Sequence, residues 1–300
     1  MSLIVLGTVA LDNIKTPSGY KPDLLGGSAA HFSMSARLFT KVHLVAIVGH
    51  DFPPQHIKFL EKKGIDLTSL TLGKEKSFRW QGEYKAEDLN QAITLATELG
   101  VLMNYVPEVA SHQRDIPNIF LANIDPDVQS QLLRFMKKPK LIGLDSMNLW
   151  IHHKRDALLK LMKNVNLFVA NDTEARDLSG ERNLIKAAKA LRKMGPQLVA
   201  IKKGEHGVLF YCDKFMFSFP AYPVEYVVDP TGAGDTFAGG LMGYLTKANK
   251  LDEKMLKAAV LYATTAASFN VEGFGMDKTS LLTTAQVNQR LKKLKKFITI

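Results

Sequence analysis

The chain has 300 residues, 46% hydrophobic and 23% charged, enough apolar material for one large core or a core with a small appendage, which excludes a disordered chain. Cys212 is the only cysteine, which excludes an intramolecular disulfide and a cysteine-based zinc site, and no apolar run approaches the ~18 residues of a membrane span. The net charge of +10 invites a nucleic-acid reading, but Lys292, Lys293, Lys295 and Lys296 crowd one end and 186–193 reads as a solvated helix face. No nucleic-acid motif accompanies them, and a positive field also attracts small anionic substrates.

From the N-terminus, 3–6 is a short apolar run without the basic leader or cleavage site of a signal peptide, and reads as a strand buried on both faces. Similar runs recur at 44–48, 119–121, 141–144, 167–170 and 198–201, with amphipathic stretches of helical length at 29–39, 55–63, 127–137, 154–162 and 184–194. The alternation predicts a doubly wound α/β fold with a mostly parallel sheet covered on both faces, one domain over 1–300. It breaks at about 74–106, where Phe78, Trp80 and Gly82 alternate with Arg79, Gln81 and Glu83. This exposed strand, with about 13–25, is expected to form a small β lid.

Ligands of open parallel sheets bind beyond the carboxyl ends of the strands. Asp12, Gly49, Asp51, Asn123, Asp145, Asn171 and Gly204 each follow a predicted strand there, as one active-site rim would require. The most informative stretch is Asp229-Pro230-Thr231-Gly232-Ala233-Gly234-Asp235-Thr236-Phe237-Ala238-Gly239-Gly240, just before a helical run ending near Leu245. Gly232, Ala233 and Gly234 leave backbone N–H groups uncovered at a helix N-terminus, where orphan donors and the helix dipole favour an anion. Asp235 in that first turn is either a cap or a base. A carboxylate built into a phosphate cradle suits deprotonation of an alcohol beside a phosphoryl group. No G-x-x-x-x-G-K-[ST] is present and no G-x-G-x-x-G follows the first strand, which disfavours a Walker-type ATPase and hydride transfer. His152 and His153 are adjacent, not one helical turn apart, and do not read as a metal pair.

Residues 229–237 match the signature D-[TP]-[TV]-G-A-G-D-x-[FL] throughout, and the chain here resembles the ribokinase-like, or pfkB, carbohydrate kinases. The resemblance implies Asp235 as catalytic base and the backbone of Gly232, Ala233 and Gly234 as oxyanion hole. It extends over the chain. Gly7 and Asp12 match the pattern whose aspartate holds substrate hydroxyls, and Gly26 and Gly27 match the diglycine that lets the chain approach the acceptor. Asn171 and Glu174 match N-x-x-E, which implies a place for magnesium and its waters. Lys203, Gly204 and Gly207 resemble the loop along the nucleotide, and 263–275, with Asn270 and Gly273, the segment closing over adenine. Potassium is implied at Asp229 and Thr231.

His31 stands where ribokinase has a sugar-contacting asparagine, which argues against ribose itself. Asp145-Ser146-Met147-Asn148 replaces the usual D-x-N, and Asp145 is either an acceptor contact or part of a strand-end turn. The expected activity is ATP-dependent phosphorylation of a primary hydroxyl on a sugar or sugar-containing molecule, with Mg2+ and K+ as cofactors, in the cytoplasm. A nucleoside kinase is the alternative, since Trp80 and Tyr84 could stack a base or pack under the lid; an idle ligand-binding protein on the same fold is the second. Neither nucleic acid nor membrane is an expected partner, and the lid is where a second copy would pair.

Overall fold

In the computed structural model, which describes residues 1–299, the parallel strands alternate apolar side chains between two covered faces. In β1 (Ser2–Leu6), Leu3 and Val5 enter one core cluster while Ile4 and Leu6 enter the other, as period-two geometry requires of a strand buried on both sides. The same parity governs β4 (Lys41–Val48), β8 (Asn118–Leu121), β9 (Leu141–Asp145), β10 (Leu167–Asn171) and β11 (Leu198–Lys202). With β5 (Ile65–Leu72), β12 (Val208–Tyr211) and β13 (Met216–Phe219) these form a nine-stranded sheet of order β13-β12-β11-β10-β9-β8-β1-β4-β5. All pairings are parallel except those of β12 with β11 and β13.

One face carries α1 (Ser28–Ala36), α2 (Pro54–Lys62), α8 (Ala233–Ala248) and α9 (Glu253–Asn270), whose Phe32, Leu60, Leu241 and Val260 enter the first cluster. The other carries α3 (Pro126–Phe135), α4 (Asn148–His153), α5 (Arg155–Met162), α6 (Asp172–Ser179) and α7 (Leu184–Lys193). The last helix, α10 (Thr284–Ile298), seats Leu291 and Leu294 beside Leu261 of α9.

A second sheet, order β3-β2-β6-β7, stands apart from this sandwich: β2 (Ala10–Thr16) and β3 (Gly19–Gly26) form one hairpin, β6 (Arg79–Lys85) and β7 (Asp88–Glu98) the other, joined by parallel pairing of β2 with β6. Three readings from sequence need correction. Asp12 lies inside β2, within the lid, and not at the end of β1. The second lid segment stops at Glu98, because Val101 and Tyr105 are already buried, Tyr105 in the core of the main sheet. In 263–275, Ala263 and Ala266 are fully buried in α9, and only the part beyond Asn270 is free to be a loop.

Candidate active site

Strand parity sets the floor of the cleft. Leu198 and Ala200 face the α8 side of the sheet, so Lys202 does too; Leu167 and Val169 give Asn171 that side, and Leu141 and Gly143 give it to Asp145. Three adjacent parallel strands therefore end at one edge with Asp145, Asn171 and Lys202 side by side, Asn171 in register with Lys202. Lys202 Nζ lies 3.0 Å from Asp145 Oδ2, and Asp145 Oδ1 accepts the Ser146 N–H at 2.8 Å. With one oxygen on Lys202 and the other on the Ser146 N–H, the buried Asp145 is the counter-ion of Lys202 and closes a strand-end turn.

Asn171 caps α6. Glu174 N–H donates to Asn171 Oδ1 at 2.8 Å and Asn171 N–H donates to Glu174 Oε2 at 2.7 Å, so N-x-x-E is here a capping box. Burial pushes the Glu174 carboxyl up to about 7; Lys202 opposes the rise and Asp145 adds to it.

Side-chain caps also satisfy the N-termini of α3, α7, α9 and α10, through Asp125, Asn183, Asp252 and Thr283. The helices α1 and α8 have no side-chain cap, nor do α2, α4 and α5. Both α1 and α8 begin at a glycine of positive φ, Gly27 at 94° and Gly232 at 73°. In α1 the Ser28 and Ala29 N–H groups are taken by Thr8 Oγ1 and the Thr8 carbonyl, whereas in α8 Ala233 N–H donates to the Pro230 carbonyl at 3.1 Å and those of Gly232 and Gly234 have no protein partner among the described residues. A Cβ on Gly232 would overlap the His31 ring, and one on Gly234 would stand 2.9 Å from Lys202 Nζ, so the turn is packed from both sides. Asp235 projects from the first turn of α8, half-buried. Burial, with Asp145, Glu174 and Asp12 nearby, pushes its carboxyl up to about 8 against the opposing pull of Lys202.

Asp12 comes from the lid sheet. It is 4% exposed, accepts the Gly27 N–H, and lies so close to Gly26 that any Cβ there would overlap Oδ2. Burial drives it up to about 7, with Asp229 adding to the rise. Gly26 and Gly27 thus seat this carboxylate, and Gly27 also crosses closely over the Thr8 carbonyl.

His31 does not reach the rim. It is 1% exposed beneath Gly232, its imidazole kept neutral by burial, which lowers it to about 4 against the opposing effect of the Asn270 side chain, and neither ring nitrogen has a hydrogen bond of good geometry. Asn270 likewise turns inward, donating to the Thr231 carbonyl at 2.7 Å and accepting from Thr236 Oγ1 at 3.0 Å; at 1% exposure it braces the turn and cannot face a nucleotide. Asp229 is fully buried, its two oxygens accepting the Thr231 and Gly275 N–H groups at 2.9 and 2.8 Å. Lys203 departs too: its Nζ points to Ser218 Oγ, 3.4 Å away on the surface. Gly204 and Gly207, at φ +54° and +84°, shape the loop after β11, with Asn90 of the lid tip resting on Gly204; Gly273 lies beyond α9 beside Lys278.

Two further residues join the site. Tyr84 of β6 is buried with its hydroxyl 3.3 Å from Thr231 Oγ1; burial and the nearby carboxylates of Asp229, Asp12 and Asp235 push its phenol upward. The other is Lys202, which period-two parity counted from Leu198 would have separated from Lys203.

A model of the pfkB family of carbohydrate kinases matches residues 23–283. A cytidine kinase of Thermococcus kodakarensis is 31% identical over 261 residues, 84% of this chain and 91% of the relative. A putative ribokinase II from E. coli, solved with ATP and Mg2+, superposes with a TM-score of 0.78 at 19% identity, over 97% of this chain and 99% of the other. A nucleoside kinase of Burkholderia thailandensis solved with inosine does so with a TM-score of 0.79 at 19% identity, over 97% of each chain. The two structures speak for the fold, and the family match spans Gly26 and Gly27, the hairpin of β6 and β7 and the glycine turn of α8. The chain belongs to the pfkB family of carbohydrate kinases and is a phosphotransferase acting on a hydroxyl group.

Proposed function

We propose that the chain is an ATP-dependent nucleoside kinase that phosphorylates the primary hydroxyl of the sugar. The observation that carries the kinase chemistry is Asp235 in the first turn of an uncapped helix that starts at a glycine turn packed between His31 and Lys202. The nucleoside is supported by the cytidine kinase relative and by Tyr84, an aromatic side chain that the lid brings against the glycine turn.

In this reading Asp12 accepts hydrogen bonds from two neighbouring sugar hydroxyls, for which a carboxylate has lone pairs to spare. Asp235 takes the proton of the attacking hydroxyl. The N–H groups of Gly232 and Gly234 hold the charge on the transferred phosphoryl, while that of Ala233, the third expected donor, is taken by the Pro230 carbonyl. The lid closes the cleft to water, the competing acceptor.

Magnesium, bound with the ATP phosphates, supplies charge neutralisation at the transferred group. Among the described residues no cluster of three or more His, Cys, Asp or Glu side chains is built to hold a metal ion. That suits an ion that keeps its waters and arrives with phosphate, with Asn171 and Glu174 touching those waters. The Asp229–Thr231 turn fits potassium, because a fully buried carboxylate there has only backbone N–H partners. We expect turnover to be higher in potassium than in tetramethylammonium at equal ionic strength; equal rates would remove the cation.

We also propose a homodimer through the lid: β7 is an edge strand exposing Ile93 and Leu95, and sedimentation showing only monomer at micromolar concentration would refute it. The cytoplasm is the proposed compartment, since the donor is ATP; cell fractionation tests this. The catalytic assignment is tested with Asp235→Asn. Its ATP affinity should stay near wild type while kcat falls roughly 10²-fold to 10⁴-fold, the worth of a positioned base. Near-native turnover would remove Asp235 from the chemistry.

A further inference from the structure

Of the side chains packed against Gly232 and Gly234, His31 is neutral and Lys202 is the cation. We propose that Lys202 is a catalytic residue that receives the phosphoryl group in flight between ATP and acceptor. The inference rests on the kinase reading above. Lys202 ends β11 beside Asn171, and its ammonium stands where a Cβ on Gly234 would be 2.9 Å away, against the backbone that forms the anion hole.

An ammonium has three N–H donors, and Asp145 Oδ2, at 3.0 Å, takes one of them. Asp145 cannot turn to follow another partner, because its second oxygen is held by the Ser146 N–H and its side chain is only 5% exposed. The lysine is therefore aimed, with donors to spare, at the glycine turn. A phosphoryl group reaching this cleft meets Asp235, Asp12 and Glu174, all acidic, so one fixed positive charge beside the amides decides whether a polyanion is accepted.

In the step itself the acceptor oxygen loses its proton to Asp235 and bonds to phosphorus as the bond from phosphorus to the ADP oxygen breaks. Lys202 keeps its proton and its bond to Asp145, and donates its remaining N–H groups to the oxygens of the group in transit. Asp145 is the positioning residue that holds Lys202.

Contact with the transferred group predicts selectivity between ATP, which carries it, and ADP, which does not. Titration calorimetry in Mg2+ should show Lys202→Gln weakening ATP by about 10-fold or more, the worth of a hydrogen bond to a charged group, with ADP changed less than about twofold. Its kcat should fall on the order of 10²-fold to 10³-fold. The double variant Lys202→Gln with Asp145→Asn leaves no buried charge unpaired and controls for folding. Persistent loss of the ATP preference and of turnover in it supports the assignment. Recovery of both would show that Lys202 only neutralises Asp145, and equal weakening of ATP and ADP would also overturn the proposal. The binding arm needs no acceptor, so failure of the nucleoside reading and failure of this one give different results.

Discussion

Asp12, Glu174 and Asp235 all have proton affinities near neutrality, because burial removes water from each and neighbouring carboxylates add to the rise: Asp229 for Asp12, Asp145 and Asp172 for Glu174, and Asp145, Glu174 and Asp12 for Asp235. In the base role proposed above, Asp235, with its carboxyl pushed up to about 8, would accept the acceptor proton more readily than an ordinary aspartate. The arrangement has a cost in stability. A carboxyl whose folded-state pKa lies above its unfolded value keeps a proton that the unfolded chain has released, so its contribution is whole below roughly pH 4 and is lost as pH rises toward about 8. Asp235→Asn should therefore raise the melting temperature by about 2–5 °C at pH 8 and leave it nearly unchanged at pH 4. Thermal unfolding at the two pH values checks this, and destabilisation at pH 8 would mean that Asp235 is held by contacts the structure does not contain. Asp235 and the glycine turn were legible in the sequence because their chemistry is carried by contiguous backbone. His31, Asn270 and Asp145 were not, since only packing shows that their polar atoms face inward to the Gly232 turn and to Lys202.

At the scale of elements, the cleft depends on α1 and α8 starting side by side. Their axes approach closely because α8 places Gly239 and Gly243 against α1: a Cβ on Gly239 would overlap the Phe32 carbonyl, and one on Gly243 would stand 2.9 Å from Ala36 Cα. Gly239 thus serves packing, though it belongs to the same string as the catalytic turn. Gly239→Ala should cost about 1–3 kcal/mol, the range for overpacking a tight core, and lower kcat as the N-terminus of α8 shifts. Denaturant unfolding reads the first effect; an unchanged midpoint with native slope would show that the helices part without cost. Helices with a clean 3.6-residue pattern were readable from sequence, α2, α3 and α7 among them. The short α4 and α6 were not. The six residues of α4 are too few for periodicity to separate it from a loop, and α6, as long as the legible α5, buries only Ala175 and Leu178 as apolar residues, too few to show a stripe.

At the scale of the molecule, strand and helix alternation identified the doubly wound sheet, because strands buried on both faces must be almost continuously apolar. The antiparallel edge of β12 and β13 escaped that reading, since Met216, Phe217, Ser218 and Phe219 alternate in exposure as a one-sided strand does. The lid was legible as a break in the pattern, but not its reach: β2 carries Asp12, β6 carries Tyr84, and Asn90 at the far hairpin touches Gly204. One small sheet therefore carries Asp12 and touches both the Gly232 turn, through Tyr84 and Thr231, and the loop after β11, through Asn90 and Gly204. The most direct test is to incubate the purified protein with MgATP and, separately, cytidine, uridine, adenosine, inosine, ribose and fructose, and to identify products by mass and 31P NMR. The expected result is a nucleoside 5′-monophosphate formed in equal amount with ADP, with free sugars much poorer acceptors. ADP release without any phosphorylated nucleoside, or a free sugar consumed in preference to all four nucleosides, would contradict it.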